Sequence, residues 1–233
     1  MSALLVDTTP TSPVSARTAA HAARVGLWAL PAYGLLLGLS TWTHQPSIDD
    51  FDAYARYITT DVFLASHLGA SILGAALAIL GTTAVTTYLA NGRAARTAIT
   101  GLVLTTITNV FLAATFGSAT FVQPGIGRAH LAGTPGMPAL NADTAYGPAF
   151  VATALAATFL LIVSAIVLGT AIARTNRRLR WHGIAYATLL PAFAVSGFAL
   201  QVAQPWTGFA LAAAAAVLAL RLPAIMDAST PAP

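Results

Sequence analysis

The sequence predicts an all-α fold, a polytopic transmembrane bundle of six helices with both termini on the cytoplasmic side. Three observations carry that expectation. Hydrophobic residues make up 57% of the 233 and charged residues only 8%, whereas a soluble domain carries about 25% charged residues. So little charge cannot cover a water-facing surface. Six stretches, roughly 25–43, 63–90, 97–121, 149–173, 183–202 and 206–222, are apolar enough and long enough to cross a bilayer. Arginine is distributed asymmetrically between the connections. Arg17, Arg24, Arg93, Arg96, Arg174, Arg177, Arg178, Arg180 and Arg221 fall at one set of ends, and Arg56 and Arg128 at the other. Basic residues are retained on the cytoplasmic side, which places the first set inside.

Taken in chain order, residues 1–24 read as a disordered cytoplasmic tail, with Thr8, Thr9, Pro10 and Pro13 and no cleavable signal peptide. The transmembrane domain is expected over 25–223, and a second cytoplasmic tail over 224–233. Gly34 and Gly38 form a GxxxG pair in the first span, of the kind that lets helices approach closely in lipid. The first outer connection carries Ser47 and Asp50 as helix-start residues. Ile48, Phe51, Ala55 and Ile58 follow at helical spacing, with Asp52 and Arg56 on the other face. This predicts an amphipathic helix lying on the outer membrane interface.

The second span begins near Asp61, contains His67 and is crowded with small residues, including Gly69, Ser71, Gly74, Ala75 and Ala78. The third carries Asn109, one turn after Thr105, where an amide must find a partner and is expected to bond a neighbouring helix, with lining of a substrate path as the alternative. The outer loop at about 122–148 is too long for an idle connection. Its many Gly and Pro residues predict a fixed irregular structure serving as a lid or the floor of a site. Pro191 falls inside the fifth span, and Pro205 separates the fifth from the sixth or bends one long helix. Trp181 and His182 beside Arg177, Arg178 and Arg180 make a cytoplasmic patch suited to membrane orientation and anionic headgroups.

Absences narrow the chemistry. The chain has no Lys, Glu or Cys. Without Lys there is no Schiff base to retinal or pyridoxal, and without Cys no disulfide, thiolate ligand or c-type haem attachment. The net charge of +4 is arginine at span ends rather than a clustered basic face, so nucleic acid is not an expected partner. The lipid bilayer is one, and a homo-oligomer or a partner membrane subunit is compatible with the small-residue faces. Arg and Ala without Lys match a high-GC bacterial source and hence the bacterial inner membrane.

The residues with acid–base or ligand chemistry gather on the outer side, and His67 is the most informative because intramembrane ionisable groups are functional hypotheses by default. Three readings stay open. His67 is a neutral imidazole bonded to a helix carbonyl or hydroxyl, an acid–base group in an outward cavity, or a ligand with His130 to copper, zinc or b-type haem. On a regular helix Asp61 and His67 lie roughly 240° apart and do not share a face. The candidate catalytic set is His67, Asp61, Arg128, His130 and Asp143, with Arg128 neutralising developing negative charge. The functional expectation is an extracytoplasmic-facing pocket acting on a small or lipophilic molecule. Two alternatives are a substrate-binding or permease subunit of a transporter and a structural membrane subunit.

Overall fold

The computed structural model describes residues 13–227, and among them every regular element is a helix. Six helices are long and apolar enough to span a membrane: Thr18–Ser40, Asp61–Leu89, Ala95–Leu131, Pro148–Thr175, Arg177–Ala199 and Gln201–Asp227. Their outward faces carry Leu39, Leu80, Phe159, Phe198 and Leu220, all exposed. Apolar side chains at this density on the outside are stable against lipid, and the chain is a multi-pass membrane protein.

The first span consists of α1 (Pro13–Leu27) and α2 (Ala29–Ser40), broken at Trp28. Helix therefore starts well before residue 24, where the sequence predicts a loose tail. Pro13 opens it at a position where proline is pre-organised, the alanine-rich run that follows favours helix, and α1 gains a packing surface on the second span. Likewise the last helix runs to Asp227, past the expected boundary at 223. The expectations for residues 1–12 and 228–233 lie outside the described residues.

The remaining spanning elements are α4 (Asp61–Leu64), a π-helical segment (Ala65–Ile72) and α5 (Leu73–Leu89) in the second span, and α6 (Ala95–Phe121) in the third. The fourth is α9 (Pro148–Thr175), the fifth α10 (Arg180–Ala199) and the sixth α11 (Gln204–Asp227). Each span packs against the next in sequence and the first packs against the sixth, so the six close into a ring with few contacts across it. Pro205 resolves as a helix start: α10 ends at Ala199, a 3₁₀ turn covers Gln201–Ala203, and Pro205 sits in the first turn of α11. Pro191 stays inside the continuous α10.

Glycine sets the closest joints. A Cβ on Gly34 would lie 2.6 Å from the Ala212 backbone nitrogen, and one on Gly208 would lie 2.5 Å from the Gly38 nitrogen. The GxxxG pair is thus used within the chain, as the seam between α2 and α11. Trp42 meets Trp206 edge-on at 5.7 Å at the end of that seam. Gly169 of α9 and Gly183 of α10 touch in the same manner, a Cβ on Gly169 falling 2.5 Å from the Gly183 carbonyl oxygen. At the end that carries the termini, Arg24 pairs with Asp227, and Arg93 Nε donates to the Arg174 carbonyl at 2.7 Å.

The opposite, distal end is covered by α3 (Phe51–Ile58), α7 (Gln123–Leu131) and α8 (Met137–Asp143). The 122–148 loop is therefore mostly two short helices, not irregular backbone. α6 runs into α7 through a single break in the helix at Val122, and Gly133 and Gly136 make the turn to α8 at φ 85 and 79°, values that glycine adopts without strain. α3 also departs from expectation. Asp50 caps it, accepting from the Ala53 amide at 3.0 Å, while Ser47 bonds Asp49. Its buried face is Phe51, Tyr54, Ala55 and Ile58, with Ile48 exposed. That face packs on α7 rather than lying on lipid: Ile58 Cγ1 would stand 2.9 Å from a Cβ on Gly127.

Asp52 pairs not with Arg56 but with His130 of α7, at 2.6 Å. The hydrogen bond from His130 is the main reason the Asp52 carboxyl is held below its ordinary value. A carboxylate with a lowered folded-state pKa stabilises the fold fully above the unfolded value, about 3.9. The contribution is lost as pH falls through the lowered value. The expected result is that amide exchange in α3 accelerates more steeply below pH 4 in the wild type than in Asp52→Asn, which lacks the linkage.

A cavity beneath the distal cap

His67 sits in the part of the second span that is not α-helical. Thr60 caps α4, accepting from the Phe63 amide at 3.2 Å, and the backbone then widens into the π-helical turn Ala65–Ile72. Ser71 Oγ donates to the carbonyl of Ser66, five residues back, at 3.1 Å. π segments are rare and concentrate at functional sites.

The imidazole is fixed by its surroundings. Its Nδ1 lies 2.9 Å from the Phe63 carbonyl oxygen. A carbonyl only accepts, so in that bond Nδ1 carries the hydrogen and the neutral ring keeps its lone pair on Nε2. The Ser66 hydroxyl, which donates to the same carbonyl at 2.9 Å, also lies 3.0 Å from Nδ1. The ring stacks on Phe63 at 4.0 Å and meets the edge of Phe116 at 6.0 Å. Of the readings open in the sequence, the bonded neutral imidazole describes Nδ1, with the partner on the same helix. Nε2 has no protein partner.

Three adjoining cavities, of about 280, 280 and 270 Å³, meet at Phe116. His67 lines the first two. The first is walled by Thr41, Thr43, His44 and Gln201 at the distal end of the ring, with Ser71 and Phe193 deeper. The second runs between α6 and α9 past Thr115, Ala154 and Thr158. The third lies deeper, walled by Tyr33, Leu112, Leu161 and Phe193, and reaches Phe198 on the membrane-facing surface. Gln45 lines both the first and second cavities and Gln204 both the first and third, so each amide stands at a junction. A Cβ on Gly197 would sit 2.7 Å from Gln204 Nε2, so that glycine makes room for the junction amide.

The cap ties into this roof. Gln45 Nε2 donates to the Tyr146 hydroxyl at 3.1 Å, and the Tyr54 hydroxyl donates to the same oxygen at 3.4 Å. Burial, with the Tyr146 contact second, pushes the Tyr54 hydroxyl above its ordinary range, so it stays protonated and remains a donor. Gln123 is buried and lines the second cavity, and its Oε1 has no protein partner.

Of the five candidate residues, His67 alone lines these cavities. Asp61 is exposed in the first turn of α4, Arg128 is exposed on α7, and Asp143 is exposed at the end of α8. His130 uses Nε2 on Asp52 and packs edge-on against Phe51 at 4.8 Å, away from His67. Among the described residues no three His, Cys, Asp or Glu side chains converge as metal ligands would. His44 is the second imidazole on the first cavity.

Gln123 and Tyr146 belong to the 122–148 segment that the sequence marks as a lid or floor, and Gln45 to the first outer connection, whereas Phe116 and Gln204 carry no such mark. The amides Gln45, Gln123 and Gln204 each stand at a span boundary, which is the signal they share. Comparison of the chain with protein-family models, curated proteins and solved structures finds no match.

Proposed function

We propose that this is a bacterial inner-membrane protein with both termini in the cytoplasm, whose outward-facing cavity binds a small amphiphilic molecule and offers it His67 as hydrogen-bond and proton acceptor. The observation that carries the reading is the imidazole itself. The ring lines two cavities from a π-helical turn while Nδ1 is held on the Phe63 carbonyl, which leaves Nε2 without a protein partner. The Arg distribution supports the orientation, because the termini end carries nine arginines and the cap end two.

The lining supports the ligand class. The first cavity is lined mainly by polar side chains and the third mainly by apolar ones, and together they suit a molecule with a hydroxyl or N–H group at one end and hydrocarbon behind it. Its donor would meet Nε2, with Gln45 and Gln204 completing the polar contacts. A wall that includes exposed Phe198 gives such a molecule a way in from the membrane. No carboxylate lines the two cavities beside the ring, so the imidazole meets the ligand's hydroxyl or N–H as a lone acceptor. A permease subunit would bind through the same contacts without the proton transfer.

Filling the cavity is the test. Thr158 lines both the second and third cavities. Protein purified in lipid nanodiscs should release an amphiphile on solvent extraction, seen by mass spectrometry. Thr158→Trp should lower its amount at least about tenfold without change in the unfolding temperature. Equal amounts from both proteins would show that the cavity is not the site.

A further inference from the structure

Deep in the ring the polar side chains of α6 make no second site. The Asn109 amide donates to the Thr105 carbonyl of its own helix at 2.8 Å, not to a neighbouring helix as the sequence predicts. Neither it nor Thr108 lines any of the three cavities. The termini end of α6 is different. There a further pocket of about 370 Å³ is walled by Arg93, Ala94, Thr97 and Arg174, where the turn before α6 meets the end of α9. The patch that the sequence marks for anionic headgroups, Trp181 and His182 beside Arg177, Arg178 and Arg180, contributes nothing to its walls.

Two arginines share this pocket. Arg93 Nε donates to the Arg174 carbonyl at 2.7 Å, which satisfies one of the last carbonyls of α9 and holds the Arg93 side chain at that helix end. A guanidinium carries N–H donors on every nitrogen, so the Nη groups of Arg93 stay available to another acceptor. The bond uses the backbone of Arg174 and leaves its guanidinium uncommitted. Among the described residues neither side chain has a carboxylate partner. Asp227 is held by Arg24, and Asp49, Asp50, Asp52, Asp61 and Asp143 belong to the distal end. Two cations on one pocket repel each other, and an anion between them replaces that repulsion by two attractions.

The surroundings identify the anion. α6 and α9 pack closely, a Cβ on Gly101 falling 3.1 Å from the Leu168 Cα. From the pocket inward along these helices, Ile99 and Val103 of α6 and Ile166 of α9 are each about half exposed on the membrane-facing surface. A soluble phosphate would engage the arginines alone, whereas a phospholipid also covers these side chains. We propose that Arg93 and Arg174 hold the phosphate of an anionic phospholipid whose chains lie along α6 and α9. Guanidinium forks match phosphate oxygens bidentately, and the Thr97 hydroxyl adds a donor at the wall. A zwitterionic lipid competes poorly, because its cationic headgroup brings another positive charge to a pocket that already holds two. The site is independent of the cavity at His67, and it fastens the termini end of the bundle to its leaflet.

Native mass spectrometry of the full-length protein, released from micelles carrying equal phosphatidylglycerol and phosphatidylcholine, reads the preference directly. The wild type should retain phosphatidylglycerol. Arg174→Gln removes one guanidinium but keeps the backbone carbonyl that anchors Arg93. It should therefore fold as the wild type does and lose phosphatidylglycerol affinity at least about tenfold. Thr97→Trp, which fills the pocket at unchanged charge, should cause the same loss. Arg178→Gln, which removes a charge at the same end but outside the pocket, should change the affinity less than about twofold. Full retention in both Arg174→Gln and Thr97→Trp would overturn the site, as would an equal loss in Arg178→Gln or the absence of any preference in the wild type. Displacement of the lipid by inorganic phosphate at constant ionic strength would overturn it too, because the ligand would then be a soluble anion.

Discussion

His67→Ala should weaken retention of the bound amphiphile roughly 10–100-fold, the loss that follows from removing one acceptor that a buried donor needs, about 1.5–3 kcal/mol. Stability should fall by only about 1 kcal/mol, because the fold loses one Nδ1–H bond to its own helix and a ring contact with Phe63. His67→Gln sharpens the result. Its side-chain carbonyl can accept a hydrogen bond but cannot carry a proton at neutral pH. If the site only binds, Gln should restore retention to within about threefold of wild type. If the site also moves a proton, Gln should bind and fail to turn over. Wild-type retention in His67→Ala would remove the imidazole from the site altogether.

The largest effect on the fold is expected at the seam between α2 and α11. At Gly34 and Gly208 the added Cβ lands on backbone atoms, 2.6 and 2.5 Å away, and no rotamer change relieves a clash with backbone. Overpacking typically costs about 1–3 kcal/mol and more where nothing can shift. Gly34→Ala should already lower the detergent unfolding midpoint, and Gly208→Val should prevent accumulation of folded protein. The same proteins decide how the GxxxG pair is used. A seam within the chain predicts loss of stability with no change in oligomeric state at partial occupancy of the fold. Loss of a dimer from an otherwise stable Gly34→Ala monomer would contradict it.

Much of this architecture is legible in composition because lipid imposes a single demand on each span, about 20 apolar residues with their backbone satisfied internally. His67 stands out for the same reason, since an imidazole inside such a stretch needs a partner, and it has one in the Phe63 carbonyl. What the sequence hides is geometry set by neighbours. The π segment around His67 comes from packing, with Ser66 and Ser71 bonding back to the helix, and no spacing rule marks it. The fan of Asp61, Arg128, His130 and Asp143 around the cap cannot be told from convergence in one dimension.

The cap shows the same limit from the other side. The amphipathic pattern of α3 is plain, yet an apolar face is equally content against lipid or against another helix. Gly127 decides for α7, by letting Ile58 approach where a side chain would hold it off.

The closed ring also dictates an order of assembly. Neighbours in sequence are neighbours in space, so each hairpin can settle as soon as its second helix leaves the ribosome. The final joint is different, because it unites the earliest helix made with the last. Until α11 arrives, Gly34 and Gly38 have no mate and the face of α2 with Tyr33 lies open to the side. A chain stalled before residue 204 would show polar groups such as the Tyr33 hydroxyl to lipid, the mark of an unfinished ring. Closing the seam and hiding that mark are one event, so the nascent chain is vulnerable until its last helix docks.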